Sequence, residues 1–146
     1  MSDDIVDHLK SLHTRAVDAR NGYDEALHDA AGKGLTSLFQ ELIALHTRNG
    51  AELAGSLASA GEVADNNGSF MSTIHRTIMS VRAMFGGLDE SVLPGLIDGE
   101  QRNVSAIQDA LAAPNLTPAL RTMLDSQMGR LQAVIARMKA GAIWSP

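Results

Sequence analysis

DESVLPGLIDGEQRNVSAIQDALA, residues 89–112, decides the fold. Leu93, Leu96, Ile97, Val104, Ile107 and Leu111 recur at three- and four-residue steps, the signature of one face of a helix. Glu100 falls inside that apolar stripe and Asn103 on its edge. A carboxylate there must be paired, hydrogen-bonded, metal-bound or protonated, because an isolated charge is expensive in a low-dielectric interior. Pro94 stands within the first turns, where proline is tolerated.

The rest of the chain repeats the pattern. Ile5, Leu9, Leu12, Ala16, Ala19, Tyr23, Leu27 and Ala30 predict a first helix over about residues 4–30, ending near Gly32-Lys33-Gly34. Leu38, Leu42, Leu45, Leu53 and Leu57 predict a second over about residues 36–60, with Gly61 as its stop. The short turn between them makes an antiparallel hairpin. After the loop signal Asp65-Asn66-Asn67-Gly68, Phe70, Met71, Ile74, Ile78, Val81, Met84 and Phe85 form another amphipathic stretch that stops at Gly86-Gly87. Beyond residue 112, Pro114 breaks the chain; Thr117 as N-cap and Pro118 at the first helical position start a last helix that runs to about residue 140 through Leu120, Leu124, Leu131, Ile135 and Met138.

The expected architecture is all-α: one domain over residues 1–146, a four-helix up-down bundle whose two hairpins are joined by a crossover at residues 61–88 containing an additional helix. That connectivity is ferritin-like. The Phe70 to Phe85 stripe is expected to pack on the bundle, with a membrane or partner face as the alternative. Met71, Met79 and Met84 read as packing residues rather than ligands for a soft metal.

Composition narrows the function classes. Apolar residues make up 45% of the 146 and aromatics 3%, so Leu, Ile, Val, Met and Ala must fill the core, which suits helices. A net charge of −5 disfavours nonspecific binding to nucleic acid or anionic membrane. The absence of cysteine excludes disulfides, thiol catalysis and iron–sulfur clusters together. No stretch approaches the roughly 20 apolar residues of a membrane span, and the acidic start is unlike a secretory signal, so a soluble cytoplasmic protein is expected.

Turning each helix by roughly 100° per residue gathers a central polar layer: His46 and Asn49 on the second helix, Glu100 and Asn103 on the third, Gln127 on the fourth, with Tyr23 reaching in from the first. In one reading Glu100 accepts hydrogen bonds from His46, Asn49, Asn103 and Gln127, a network that fixes helix order and register. In a second, His46 and Glu100 hold iron or another divalent metal, with the amides and water completing its shell; in a third, the core is more exposed than the pattern suggests. A di-iron centre needs glutamates on two helices and a Glu-x-x-His unit on each of the other two. Here Glu100-x-x-Asn103, His46-x-x-Asn49 and a lone Gln127 stand instead, so the ligand set for an enzyme is incomplete and the reading leans away from catalysis. His8, His13 and His28 lie among charged residues and read as solvated, and the lone serines show no nucleophile elbow.

Asp18-x-x-x-Gly22-Tyr23, Glu52-Leu53, Gly61, His75-Arg76 and Gly99-Glu100 follow one pattern, from Leu9 to Met138. It resembles a family of small bacterial ferritin-like domains of unknown function, distantly similar to rubrerythrins. The resemblance implies a dimeric bundle with no established enzymatic role, some relatives being associated with stress responses; it identifies no protein partner. Its motif positions here are Asp18, Gly22, Tyr23, His75, Arg76 and Glu100. The chain departs from the pattern twice: Ile78 stands where tryptophan often follows His-Arg, and apolar residues around Val134 replace a histidine of the fourth helix. Asp18 and Gly22 lie opposite the main stripe of their helix. Either they are exposed, or the crossover packs there, with Gly22 allowing close approach and Asp18 pairing with Arg76 or His75.

Overall fold

Among the described residues the apolar periodicity folds as four long helices, α1 (Asp3–Ala26), α2 (Thr36–Ser59), α3 (Leu93–Leu111) and α4 (Pro118–Ala140), with a 3-10 turn, Glu90–Val92, ahead of α3. The structure, a computed structural model, describes residues 3–27, 35–64, 76, 78–79 and 90–141. Several helix ends have a local cause. Asp3 and Asp4 place negative charge at the positive end of the α1 dipole, and Arg137 and Lys139 place positive charge at the far end of α4. The Thr117 hydroxyl accepts a hydrogen bond from the Leu120 N–H at 3.2 Å, and Pro118 follows it as the first helical residue. Gly141 stops α4 in the left-handed region at φ 69°, and Gly61 turns the chain after α2 at φ 77°. The expected first helix ran to Ala30, whereas the α-helix ends at Ala26 and Leu27 continues as a 3-10 residue.

The helices pack most closely in two pairs, α1 with α2 and α3 with α4, forming a four-helix bundle. Cross-pair contacts give the directions. Tyr23 meets Glu100 while Arg15 meets Asn103, so α1 and α3 run antiparallel. Glu41 meets Arg137 while Glu52 meets Arg130, so α2 and α4 do likewise. It follows that α2 and α3 are parallel, and the chain leaves α2 at the end of the bundle opposite to where α3 begins.

One apolar cluster runs the length of the bundle, built from Leu9, Leu12, Leu53, Leu57, Ile107 and Leu124 towards one end and from Ala26, Leu35, Phe39, Leu42 and Leu96 towards the other. Burying a leucine side chain of this kind stabilises the fold by about 1.5–3 kcal/mol. Ile78, helical and 2% exposed, belongs to the same cluster, while Arg76 and Met79 beside it are exposed. Met79 is therefore not the packing residue expected of it. The other residues of the expected crossover helix, His75 included, lie outside the described residues. Among the described residues, no helix is long and apolar enough to cross a membrane.

Candidate functional site

Glu100 is the only carboxylate among the described residues with no exposed surface, and three helices serve it. From α1, the Tyr23 hydroxyl donates to Oε2 at 2.7 Å. From α2, His46 Nε2 stands 2.8 Å from Oε2 and 3.1 Å from Oε1. One turn along α3, Asn103 Nδ2 donates to Oε1 at 2.9 Å. Facing a carboxylate, His46 Nε2 must carry the proton. Arg15 Nη1 donates to Asn103 Oδ1 at 3.2 Å, which fixes the Asn103 amide with its nitrogen towards Glu100. The Tyr23 ring stacks with His46, centroids 6.0 Å apart and planes 18° from parallel, and meets Phe39 edge-on at 5.3 Å.

Two opposed effects act on the Glu100 carboxyl. Burial pushes its pKa up, but the charge and hydrogen bond of His46, with the bonds from Tyr23 and Asn103, together hold it below the usual range. Glu100 is thus ionised at neutral pH although no water reaches it. Burial, the Glu100 charge and the hydrogen bond to Glu100 drive Tyr23 the other way, well above the usual value of 10.0, so it stays a neutral donor. The same contact therefore depresses the acid and raises the phenol.

A second polar cluster joins α2 to α4. Arg130 makes a two-pronged contact with Glu52, at 2.8 and 3.1 Å, and its Nη1 also donates to Asn49 Oδ1 at 2.7 Å. Gln127 Nε2 donates to Glu52 Oε1 at 3.1 Å and to the Asn49 carbonyl at 3.3 Å. The bond from Arg130 chiefly lowers the Glu52 pKa; partial burial opposes it, and Gln127 and the charges of Arg130 and Arg48 assist. Between the clusters lies a cavity of about 20 Å³ with Arg15, His46, Asn49, Asn103 and Gln127 on its walls. That is room for one water with several polar partners.

The sequence-derived layer thus separates into two groups. Asn49 and Gln127, expected to donate to Glu100, turn instead to Arg130 and Glu52, and Tyr23 takes the place they were given. Each side chain meets the helix next to its own: Gln127 on α4 meets Asn49 and Glu52 on α2, and Tyr23 on α1 meets Glu100 on α3. Three members were missed: Arg15, Glu52 and Arg130 have long side chains on the flanks of their stripes that reach inward. Glu52 follows Asn49, and Arg130 follows Gln127, by three residues, a spacing that marks both pairs. His13, expected to be solvated, is 3% exposed. It continues a second apolar line of α1, Val6, His13 and Val17, buried because α1 is covered on more than one side. His8 is half-buried and His28 lies outside the described residues. Asp18 and Gly22 are buried.

The donors do not fit a metal ion as they stand. His46 Nε2 points straight at the Glu100 oxygens rather than converging with them on a common third point, and both oxygens already accept protein hydrogen bonds. Among the described residues, no three His, Asp or Glu side chains gather as ligands. What the arrangement does chemically is hold one ionised carboxylate dry and tie three helices to it.

No curated protein and no solved structure matches this chain. A family model does, over residues 4–113, which takes in Tyr23, His46, Glu100 and Asn103 and leaves α4, with Gln127 and Arg130, beyond the match. Covering most of the 146 residues, that match assigns the chain to its family: it belongs to DUF2383, a domain of unknown function.

Proposed function

We propose that this protein is a non-catalytic structural or interaction module of ferritin-like ancestry, in which the Glu100 network fixes how the two helical hairpins pair. One observation carries the reading. The buried carboxylate meets Tyr23, His46 and Asn103 on both oxygens, leaving no side of it turned to a substrate. A fully satisfied polar group of this kind rigidifies and specifies a core. The cytoplasmic setting, the homodimer and the stress link implied by the resemblance belong to the same proposal. Light scattering on the purified protein tests the dimer, and a monomer at tens of micromolar would remove it.

Metal binding is the second reading, favoured by the meeting of His46 and Glu100, from different helices, in a place sealed from water. Metal analysis of protein purified without chelators separates the two. The structural reading expects substoichiometric metal that Glu100→Gln leaves unchanged. One equivalent of metal per chain, lost in Glu100→Gln, would overturn it.

A further inference from the structure

A second cleft, of about 210 Å³, opens between α1 and α2, lined by His13, Ala16, Val17 and Arg20 on one side and by His46, Thr47, Gly50, Ala51 and Ala54 on the other. It is roughly ten times the size of the cavity between the polar clusters. The small residues on both helices leave this space, and of the polar ones Arg20 and Thr47 can donate hydrogen bonds into it. Among the described residues no carboxylate lines it, in a chain with 17 acidic residues against 12 lysines and arginines.

Arg20 is held there by a neutral neighbour, Asn21. Its Nε and Nη2 donate to Asn21 Oδ1 at 3.3 and 2.9 Å, and among the described residues no carboxylate lies within ion-pair distance of it. Arg48, Arg102, Arg130 and Arg137, by contrast, each meet an aspartate or glutamate. The adjoining cavity, which shares His13, also contains a cation, Lys10, but Glu62 neutralises it at 3.0 Å. Among the described residues, Arg20 thus brings a positive charge with no ion-pair partner to one end of the cleft, beside the Thr47 hydroxyl.

We propose that this cleft is a binding site for a small oxyanion, either inorganic phosphate or the carboxylate of a small organic acid, with Arg20 supplying the charge and Thr47 a further hydrogen bond. Arginine suits such a role because its planar fork matches both anions. The proposal goes beyond the structural role of Glu100 and does not depend on it. His46 lines the cleft and contacts Glu100, so an anion bound here adjoins the buried network.

The test is titration of the full chain with sodium phosphate and, separately, sodium acetate, at ionic strength held constant with sodium chloride, read by the histidine ring signals in NMR. A saturable shift of the His13 or His46 signals is expected, with the His8 signal unmoved and a Kd on the order of 1 mM, well within the ceiling for a ligand of a few heavy atoms. Saturation with phosphate alone identifies a tetrahedral anion, and with acetate a carboxylate. Arg20→Gln should weaken binding by roughly tenfold or more, the value of one charge-assisted hydrogen bond. Thr47→Val, at an exposed position where folding is undisturbed, should weaken it several-fold. No saturable shift with either anion, or affinities unchanged in both variants, would overturn the proposal.

Discussion

Replacing Glu100 by glutamine keeps the size of the side chain and removes one acceptor. In the native network Oε1 accepts from Asn103 and Oε2 from Tyr23, with His46 Nε2 within reach of both. A glutamine must turn its NH2 towards one of those donors. Turned to the Oε2 side, it confronts the Tyr23 hydroxyl and the nearer contact of His46. Turned to the Oε1 side, it confronts an Asn103 amide that cannot flip without aiming its own NH2 at Arg15. Either way at least one buried donor loses its acceptor, at about 1–3 kcal/mol, and the ionic component of the other bonds is lost as well. The expected destabilisation is about 2–4 kcal/mol, or roughly 10 °C in thermal midpoint for a chain of this size. Urea unfolding followed by helical circular dichroism measures it, at unchanged m-value. Tyr23→Phe in the same background should couple to Glu100→Gln by about 1 kcal/mol or more, since the two groups touch. A loss under about 0.5 kcal/mol, within the range of an ordinary surface substitution, would show that the network does not hold the hairpins together.

Tyr23 is the chain's single tyrosine, so tyrosinate absorbance reports on it alone. Because its pKa is raised in the folded state, no ionisation is expected near pH 10 until the protein unfolds, and stability should fall as pH rises above about 10, where the unfolded chain releases its proton. Normal titration of the folded protein near pH 10 would contradict the Tyr23–Glu100 bond. At the acid end the sign reverses: Glu100 and Glu52 have lowered pKa values, so their stabilisation is present above about pH 4.3 and is lost as pH falls through the folded values. The urea midpoint should drop steeply between pH 5 and 3 on that account, and less steeply in Glu52→Gln; identical slopes would remove Glu52 from the explanation. Thr117→Ala should cost about 1 kcal/mol in the same assay through loss of the α4 cap, and an unchanged midpoint would mean that water replaces the hydroxyl.

Much of this molecule can be read locally. The Thr117-Pro118 start of α4 and the stop at Gly61 follow from short-range chemistry and stand where the residues put them. The intrusion of His46, Asn49, Glu100, Asn103 and Gln127 into apolar stripes marks them as interior groups, and all five are buried. Partner choice is another matter. Helical rotation gives the direction of a side chain but not how far it reaches, and reach decided that Tyr23 meets Glu100 while Gln127 stops at Asn49 and Glu52. The same limit hid Arg15 and Arg130, whose charged ends lie a side chain's length from their own backbone. His13 was misread for a different reason. A single-stripe view of α1 assumes one covered face, and Val6 and Val17 on its flank were the sign of a second.

The two polar clusters sit at mid-height of the one apolar core, between its two ends. On one side Leu9, Leu57 and Ile107 can exchange volume among themselves; on the other, Leu35, Phe39 and Leu96 can do so independently. Substitutions at the two ends should therefore add, and either end can drift in evolution without consulting the other. Tyr23, His46, Glu100 and Asn103 have no such freedom, since any one of them changed alone strands a donor or a charge. Within the family they are expected to vary as a set or not at all, and a relative that has lost Glu100 should have lost the donors around it too.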